Sequence, residues 1–148
     1  VVACDRDKGA LESLAGVAGV EVVSADLEAG SEWPFGAGQF NGIIVTNYLH
    51  RPLFPAISAA LSPNGVLIYE TFAVGNERFG KPSNPGFLLK KDELLEVFGP
   101  VLAVAGFEQG SIHWPRQAMV QRLCALRSES IGSDLEPRNA PDSVKILG

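Results

Sequence analysis

Residues 1–26, VVACDRDKGALESLAGVAGVEVVSAD, contain two short aliphatic runs that each end on an acid. Val1 to Cys4 form the first and Asp5 stops it; Val20, Val22 and Val23 carry the second, which closes on Ala25 and Asp26. Between them Asp7 and Lys8 lead into Ala10, Leu11 and Leu14 at helical spacing, so the stretch reads as strand, turn, helix, strand. Near-continuous aliphatic strands separated by helices indicate a parallel sheet buried on both faces.

The same pattern continues outward. FNGIIVTNYLH (40–50) gives a strand through Ile43, Ile44 and Val45 that ends at Thr46 and Asn47. RPLFPAISAALSPNG (51–65) places Leu53, Ile57 and Leu61 four residues apart, with Pro52 near the helix start and Pro63, Asn64 and Gly65 as a stop signal. VLIYETF (66–72) is the next strand. VGNERFGKPSNPGFLLKK (74–91) is a Gly/Pro/Asn-rich connection of a length that tends to be functional, and DELLEVF (92–98) is a helix closed by Gly99 and Pro100. VLAVAGFEQGSIHWPRQAMVQRLCALR (101–127) has two strand-like segments around a turn-rich middle, which predicts an antiparallel hairpin, with His113 and Trp114 in its turn. Residues 1–127 therefore read as one α/β domain with a doubly wound sheet, and the polar, proline-broken residues 128–148 as a flexible C-terminal tail.

Composition agrees with a single globular domain: 148 residues, 46% hydrophobic and 20% charged, with a mean hydropathy of +0.14. A net charge of −5 gives no basic footprint for phosphate backbones, so nucleic acid is a disfavoured partner. No apolar run approaches the roughly 20 residues that span a bilayer, and no segment reads as a signal peptide, which predicts a cytoplasmic protein with no membrane partner. Cys4 and Cys124 lack metal-site spacing and read as small buried hydrophobes, with neither a disulfide nor a metal implied.

Ligands of open parallel sheets bind beyond the carboxyl ends of the strands, which directs attention to Asp5, Asp26, Asn47 and Glu70. Asp5 suits a carboxylate accepting from ribose hydroxyls, although an acid at a helix start has the same look. Asp26 suits an acceptor for an adenine amino group, with the Leu27 backbone N–H as the complementary donor; a solvated turn acid is the plainer alternative. Trp33, Pro34 and Phe35 pack the following loop.

Two acids at successive strand ends resemble the class I S-adenosylmethionine-dependent methyltransferases. The likeness runs from Val1 to about Arg127 through VVACDRD, SADLEAGSEWPF, FNGIIVTNYLHRPLF, LSPNGVLIYETFA and the closing hairpin. NYLHRPLF and YETFAVGNERFGKPSNPGFLLKKDELLEVF look like its bacterial, tellurite-resistance-type branch. The resemblance implies a Rossmann-like sheet, mostly parallel with a C-terminal antiparallel hairpin. It implies S-adenosylmethionine as cofactor, held by Asp5, Arg6, Asp26, Leu27 and Asn47. Asn47, Tyr48 and His50 would lie near the transferred methyl, with His50 as a base where the acceptor must lose a proton. Glu70, Phe72, Arg78 and Phe79 would line the acceptor site, the acceptor being a small molecule or a protein. NYLH replaces the Asn-Pro-Pro-Tyr run of many amino-group methyltransferases, which weakens adenine-N6 and glutamine methylation.

In that family a further strand, a Gly-rich turn and a helix precede the unit that begins at Val1. The expectation is accordingly a fragment lacking its first strand and helix, inactive by itself, with an empty slot between the strands ending at Asp5 and at Asn47. Two other readings compete. One is a non-enzymatic methyltransferase-like binding domain; the other, a nicotinamide-dependent oxidoreductase, shares Asp5 but is disfavoured by Asp26 and the hairpin.

Overall fold

The aliphatic runs become strands and the spaced apolar positions become helices. The computed structural model of the protein describes residues 1–28, 30, 33–129 and 144–147. Along the chain lie β1 (Val2–Asp5), α1 (Lys8–Glu12), β2 (Glu21–Ser24), β3 (Phe40–Thr46), α2 (Phe54–Ala60), β4 (Leu61–Phe72), α3 (Glu93–Phe98), β5 (Ala103–Ile112), β6 (Ala118–Leu126) and β7 (Val144–Leu147). Among the described residues these strands form one sheet in the order β2-β1-β7-β3-β4-β6-β5. The first five in that order run parallel, whereas β6 is antiparallel to both β4 and β5. A mixed α/β sheet with a terminal hairpin is thus what the chain forms.

The slot between β1 and β3 is where expectation and structure part. It is filled: β7 pairs in parallel with β1 (Val2 with Lys145, Cys4 with Leu147) and with β3 (Gly42 with Val144, Val45 with Leu147). The flexible tail expected over 128–148 is corrected at Val144–Leu147, while residues 130–143 lie outside the described residues. The physical reason is hydrogen-bond demand: two neighbouring strands with open inner edges would leave rows of N–H and C=O groups unpaired, and a short apolar run can satisfy both rows at once.

A second difference concerns Pro63-Asn64-Gly65, expected as the stop of the preceding helix: α2 has already ended at Ala60, and the three residues lie within β4. β4 starts at Leu61 and bulges, its register with β3 jumping from Phe40–Leu61 to Gly42–Val66. Asn64 sits at φ 62° in the bulge. A Cβ on Gly65 would come within 2.8 Å of the Ser62 carbonyl and 3.0 Å of that of Phe40, so only glycine fits.

The larger core cluster packs on one face of the sheet, and a smaller one gathers Phe72, Leu88, Ala118 and Val120. Leu67, Tyr69 and Thr71 of β4 are buried, while Ile68 between them is 46% exposed on the other face. Helices α2 and α3 bring Phe54 and Phe98 onto Tyr69, with ring centroids 5.4–6.2 Å apart and edge-to-face or tilted. Trp33 and Phe35 continue this packing onto Phe40 edge-to-face, as expected for that loop. Among the described residues no helix is long and apolar enough to cross a membrane.

Candidate functional site

The chain leaving β1, β2 and β3 delivers a polar residue to the same edge of the sheet each time. Asp5 ends β1 and Asp26 follows β2; each folds its carboxylate back onto the chain two residues on. Oδ1 of Asp5 accepts from the Asp7 N–H at 2.8 Å, and Oδ1 of Asp26 accepts from the Glu28 N–H at 2.9 Å. Such Asx turns lock the side chain with one oxygen, and Oδ2 of each has no partner among the described residues. Asp7 in turn caps α1 by accepting from the Gly9 and Ala10 N–H groups.

The third contributor is the turn after β3. Asn47 adopts φ 51°, a left-handed conformation that asparagine tolerates, and its N–H donates to the Glu70 carbonyl at 2.9 Å. Tyr48 is fixed from beneath, because the buried Tyr69 hydroxyl donates to its carbonyl at 2.9 Å.

These turns enclose a cleft of about 240 Å³ lined by Cys4, Asp5, Arg6, Ala25, Asp26, Leu27, Glu28, Asn47 and Tyr48. β7 reaches the same edge, with Leu147 in register between Cys4 and Val45. Arg6 and Glu28 lie 3.7 Å apart in the lining, the arginine side chain largely exposed and the glutamate one-third exposed. Burial, reinforced by the Glu28 and Asp26 carboxylates and partly offset by Arg6, pushes the Tyr48 hydroxyl up to about 12. It therefore stays protonated near neutral pH.

The structure brings together Asp5, Arg6, Asp26, Leu27, Asn47 and Tyr48, and leaves the other candidates outside. His50 is half-buried at the start of a 3-10 turn, Arg51–Leu53, beyond the cleft lining. Glu70 is committed to Arg122 of β6 at 2.5 Å. Phe72 is buried beneath the Arg116 guanidinium, and Arg78 lies over the ring of its neighbour Phe79. The reason is strand order: β4 is separated from β1 by β7 and β3, so its end faces the hairpin. Glu28 and Cys4 went unnoticed as cleft residues; Glu28, two positions beyond Asp26, is carried inward by the turn that Asp26 itself makes.

The connection after β4 is pinned throughout. Arg51 grips Glu93 with two hydrogen bonds of 2.6 and 2.8 Å and also donates to the Gly86 and Leu88 carbonyls. Burial would raise the Glu93 carboxyl, but Arg51 and the Lys90 N–H together hold it below its ordinary value. Asn76 donates to the Pro82 carbonyl and accepts from the Met119 N–H. Gln121 links the Leu94 N–H, the Lys90 carbonyl and Gln109.

No protein-family model matches the sequence, and no curated protein matches it either. Solved structures do. An S-adenosylmethionine-dependent methyltransferase from Mesorhizobium loti is 14% identical with a TM-score of 0.65, the match covering 86% of this chain and 80% of that one. A methyltransferase of the same kind from Methanosarcina mazei is 11% identical with a TM-score of 0.64, covering 88% and 82%. The 1,6-didemethyltoxoflavin-N1-methyltransferase of Burkholderia thailandensis, solved with S-adenosylhomocysteine bound, is 15% identical with a TM-score of 0.57, covering 87% and 61%. At these identities the likeness is one of fold: the chain has the α/β fold of S-adenosylmethionine-dependent methyltransferases, built on a mixed sheet.

Proposed function

We propose that the cleft holds the nucleoside part of S-adenosylmethionine and that the protein belongs to a methyl-transferring enzyme. The observation that carries this reading is the pair of Asx-locked carboxylates, Asp5 and Asp26, both lining one cleft and each with an oxygen that the turn leaves unspent. Ribose hydroxyls and an adenine amino group are donors that such acceptors match, and the Leu27 backbone supplies the opposite polarity. The volume of about 240 Å³ lies below the roughly 300 Å³ at which pockets begin to enclose a drug-sized ligand. It suits a nucleoside, with the amino-acid end of the cofactor outside it.

When bound, S-adenosylmethionine supplies a methyl group on a sulfonium, which an acceptor nucleophile displaces in line with S-adenosylhomocysteine as the other product. The protein's part is alignment, from which most of the barrier reduction of such a reaction can come. Asp5 and Asp26 fix the nucleoside, Asn47 turns the chain at the end of β3, and the segment from Asn47 to His50 frames the transfer. The acceptor is a small molecule or a protein side chain; the tellurite-resistance-type branch remains our reading of NYLHRPLF and the connection after β4.

Calorimetric titration with S-adenosylhomocysteine tests the proposal. Saturable one-to-one binding that the double variant Asp5→Ala/Asp26→Ala abolishes is expected; no heat of binding to the wild-type chain overturns it.

A further inference from the structure

Among the described residues Arg6, Arg51 and Arg122 each meet a glutamate, and Arg127 donates to carbonyls around the end of α2. Arg78 and Arg116 meet no carboxylate there, and both stand at one corner of the sheet, where β4 and β6 cease to pair. The corner is fixed by the backbone: the Ala73 N–H donates to the Met119 carbonyl at 2.9 Å. Arg116 lies 5.2 Å from the ring centre of Phe72, the last residue of β4. Arg78 lies 5.6 Å from that of Phe79, and a Cβ on Gly75 would meet both its Nη2 and the Met119 side chain, at 3.2 and 3.4 Å. Around these two cations Trp114 is 84% exposed, Val74 56% and Phe79 39%.

We propose that this corner is a docking surface for an acidic, apolar segment of another protein, Trp114 and Val74 packing on its apolar side chains while Arg78 and Arg116 take its carboxylates. Such docking is independent of what the cleft holds. Charge selects the sign of the partner. The chain as a whole carries −5, whereas the connection 74–91 holds Arg78, Lys81, Lys90 and Lys91 against one acid, Glu77, and the hairpin tip 113–117 adds Arg116 and no acid. Glu77 is itself engaged, accepting from the Gly75 N–H at 2.8 Å. A guanidinium stacked on a ring keeps its N–H fork for a carboxylate. Shape selects the size of the partner: the apolar side chains stand out into solvent instead of lining a hollow, so a small molecule would leave them wet. Tryptophan and arginine are the side chains that most often anchor protein interfaces. Nucleic acid fits less well, because its footprint is a basic stripe on a basic domain, and here a few cations share one corner of an acidic chain.

The test is selection of a library of random dodecapeptides on the full chain, followed by titration of the strongest binder. Selected peptides should be enriched in Asp and Glu beside aliphatic or aromatic residues. Affinity should fall at least about tenfold in Arg78→Glu/Arg116→Glu, as for lost hydrogen bonds between charged groups, should be largely kept in Arg78→Lys/Arg116→Lys, and should weaken with added sodium chloride. Tryptophan emission should move to the blue on binding, and Trp114→Phe should lose that shift while Trp33, which is half-buried, stays silent. Should the double Glu variant unfold at a lower temperature than the wild type, Trp114→Ala carries the same test, since so exposed a side chain has little packing to lose; it too should bind more weakly, and equal affinity overturns the proposal. No enriched peptide, enrichment without acids, or an affinity that the Arg78 and Arg116 variants leave unchanged overturns it as well. Tighter binding of an oligouridine, lost in the same variants, would assign the corner to nucleic acid and also defeat it. None of these outcomes touches the nucleoside reading, which stands or falls with S-adenosylhomocysteine.

Discussion

The turns after β1 and β2 and the connection after β4 leave the same edge of the sheet and are both rich in polar residues, but they use those residues differently. Around the connection, Asn76 within it and Arg51, Glu93 and Gln121 from neighbouring elements are bonded to backbone or to one another, so that a long run with little regular structure is held by side chains. In the two short turns, Asp5 and Asp26 spend one oxygen on the chain and keep the other, and the hydroxyl of Tyr48 spends nothing. Residue type alone does not mark a site. Unspent hydrogen-bonding capacity, held still by neighbours that are fully spent, does.

That contrast can be broken from either side. The largest effect is expected from Arg51→Met, which leaves the Glu93 carboxylate, 11% exposed, without its cation and two carbonyls without a donor. Unfolding in urea should show a loss of about 3 kcal/mol. The pH profile should change as well. Glu93 titrates below its ordinary value in the folded protein, so its contribution is fully present above the unfolded value near 4.5 and fades as pH falls through the folded one. With Arg51 gone burial dominates, the folded value rises, and ionising the carboxyl then costs stability as pH climbs.

On the other side, Asp5→Ala should weaken S-adenosylhomocysteine binding about 10- to 100-fold, the range for hydrogen bonds to a charged group, as read by calorimetry. Asp26→Asn keeps an oxygen for the Glu28 N–H and loses only the charge, so a smaller loss of about tenfold is expected. Glu28→Gln sharpens the comparison by doing little: its ion pair with Arg6 is long and solvated, and the unfolding free energy should shift by less than about 0.5 kcal/mol.

What could be read beforehand follows from how local each feature is. β1, β2, β3 and the hairpin announce themselves by contiguous aliphatic runs, and the cleft by the rule that sheets bind ligands at strand ends, which named Asp5, Asp26 and Asn47. The misjudged features depend on distant partners. Glu70 is at a strand end like the others, and only the neighbouring β6 reveals that Arg122 occupies it. Pro63-Asn64-Gly65 carries ordinary stop residues and becomes a bulge because β3 runs alongside. Val144–Leu147 is four residues in polar surroundings, and its role emerges only when β1 and β3 are seen to need a strand between them.

That strand also bears on how quickly the molecule reaches its final form. Among the described residues the backbone ladder between the β2-β1 pair and the rest of the sheet passes through β7 alone, joining Val2 to Lys145. Local pieces such as the β5–β6 hairpin have short loops to close; this contact has nearly the whole chain to gather, and contacts of such sequence separation slow folding. Pairing of β7 closes the longest loop in the sheet, and a chain in which it has not paired leaves the inner edges of β1 and β3 open to strand exchange with another chain.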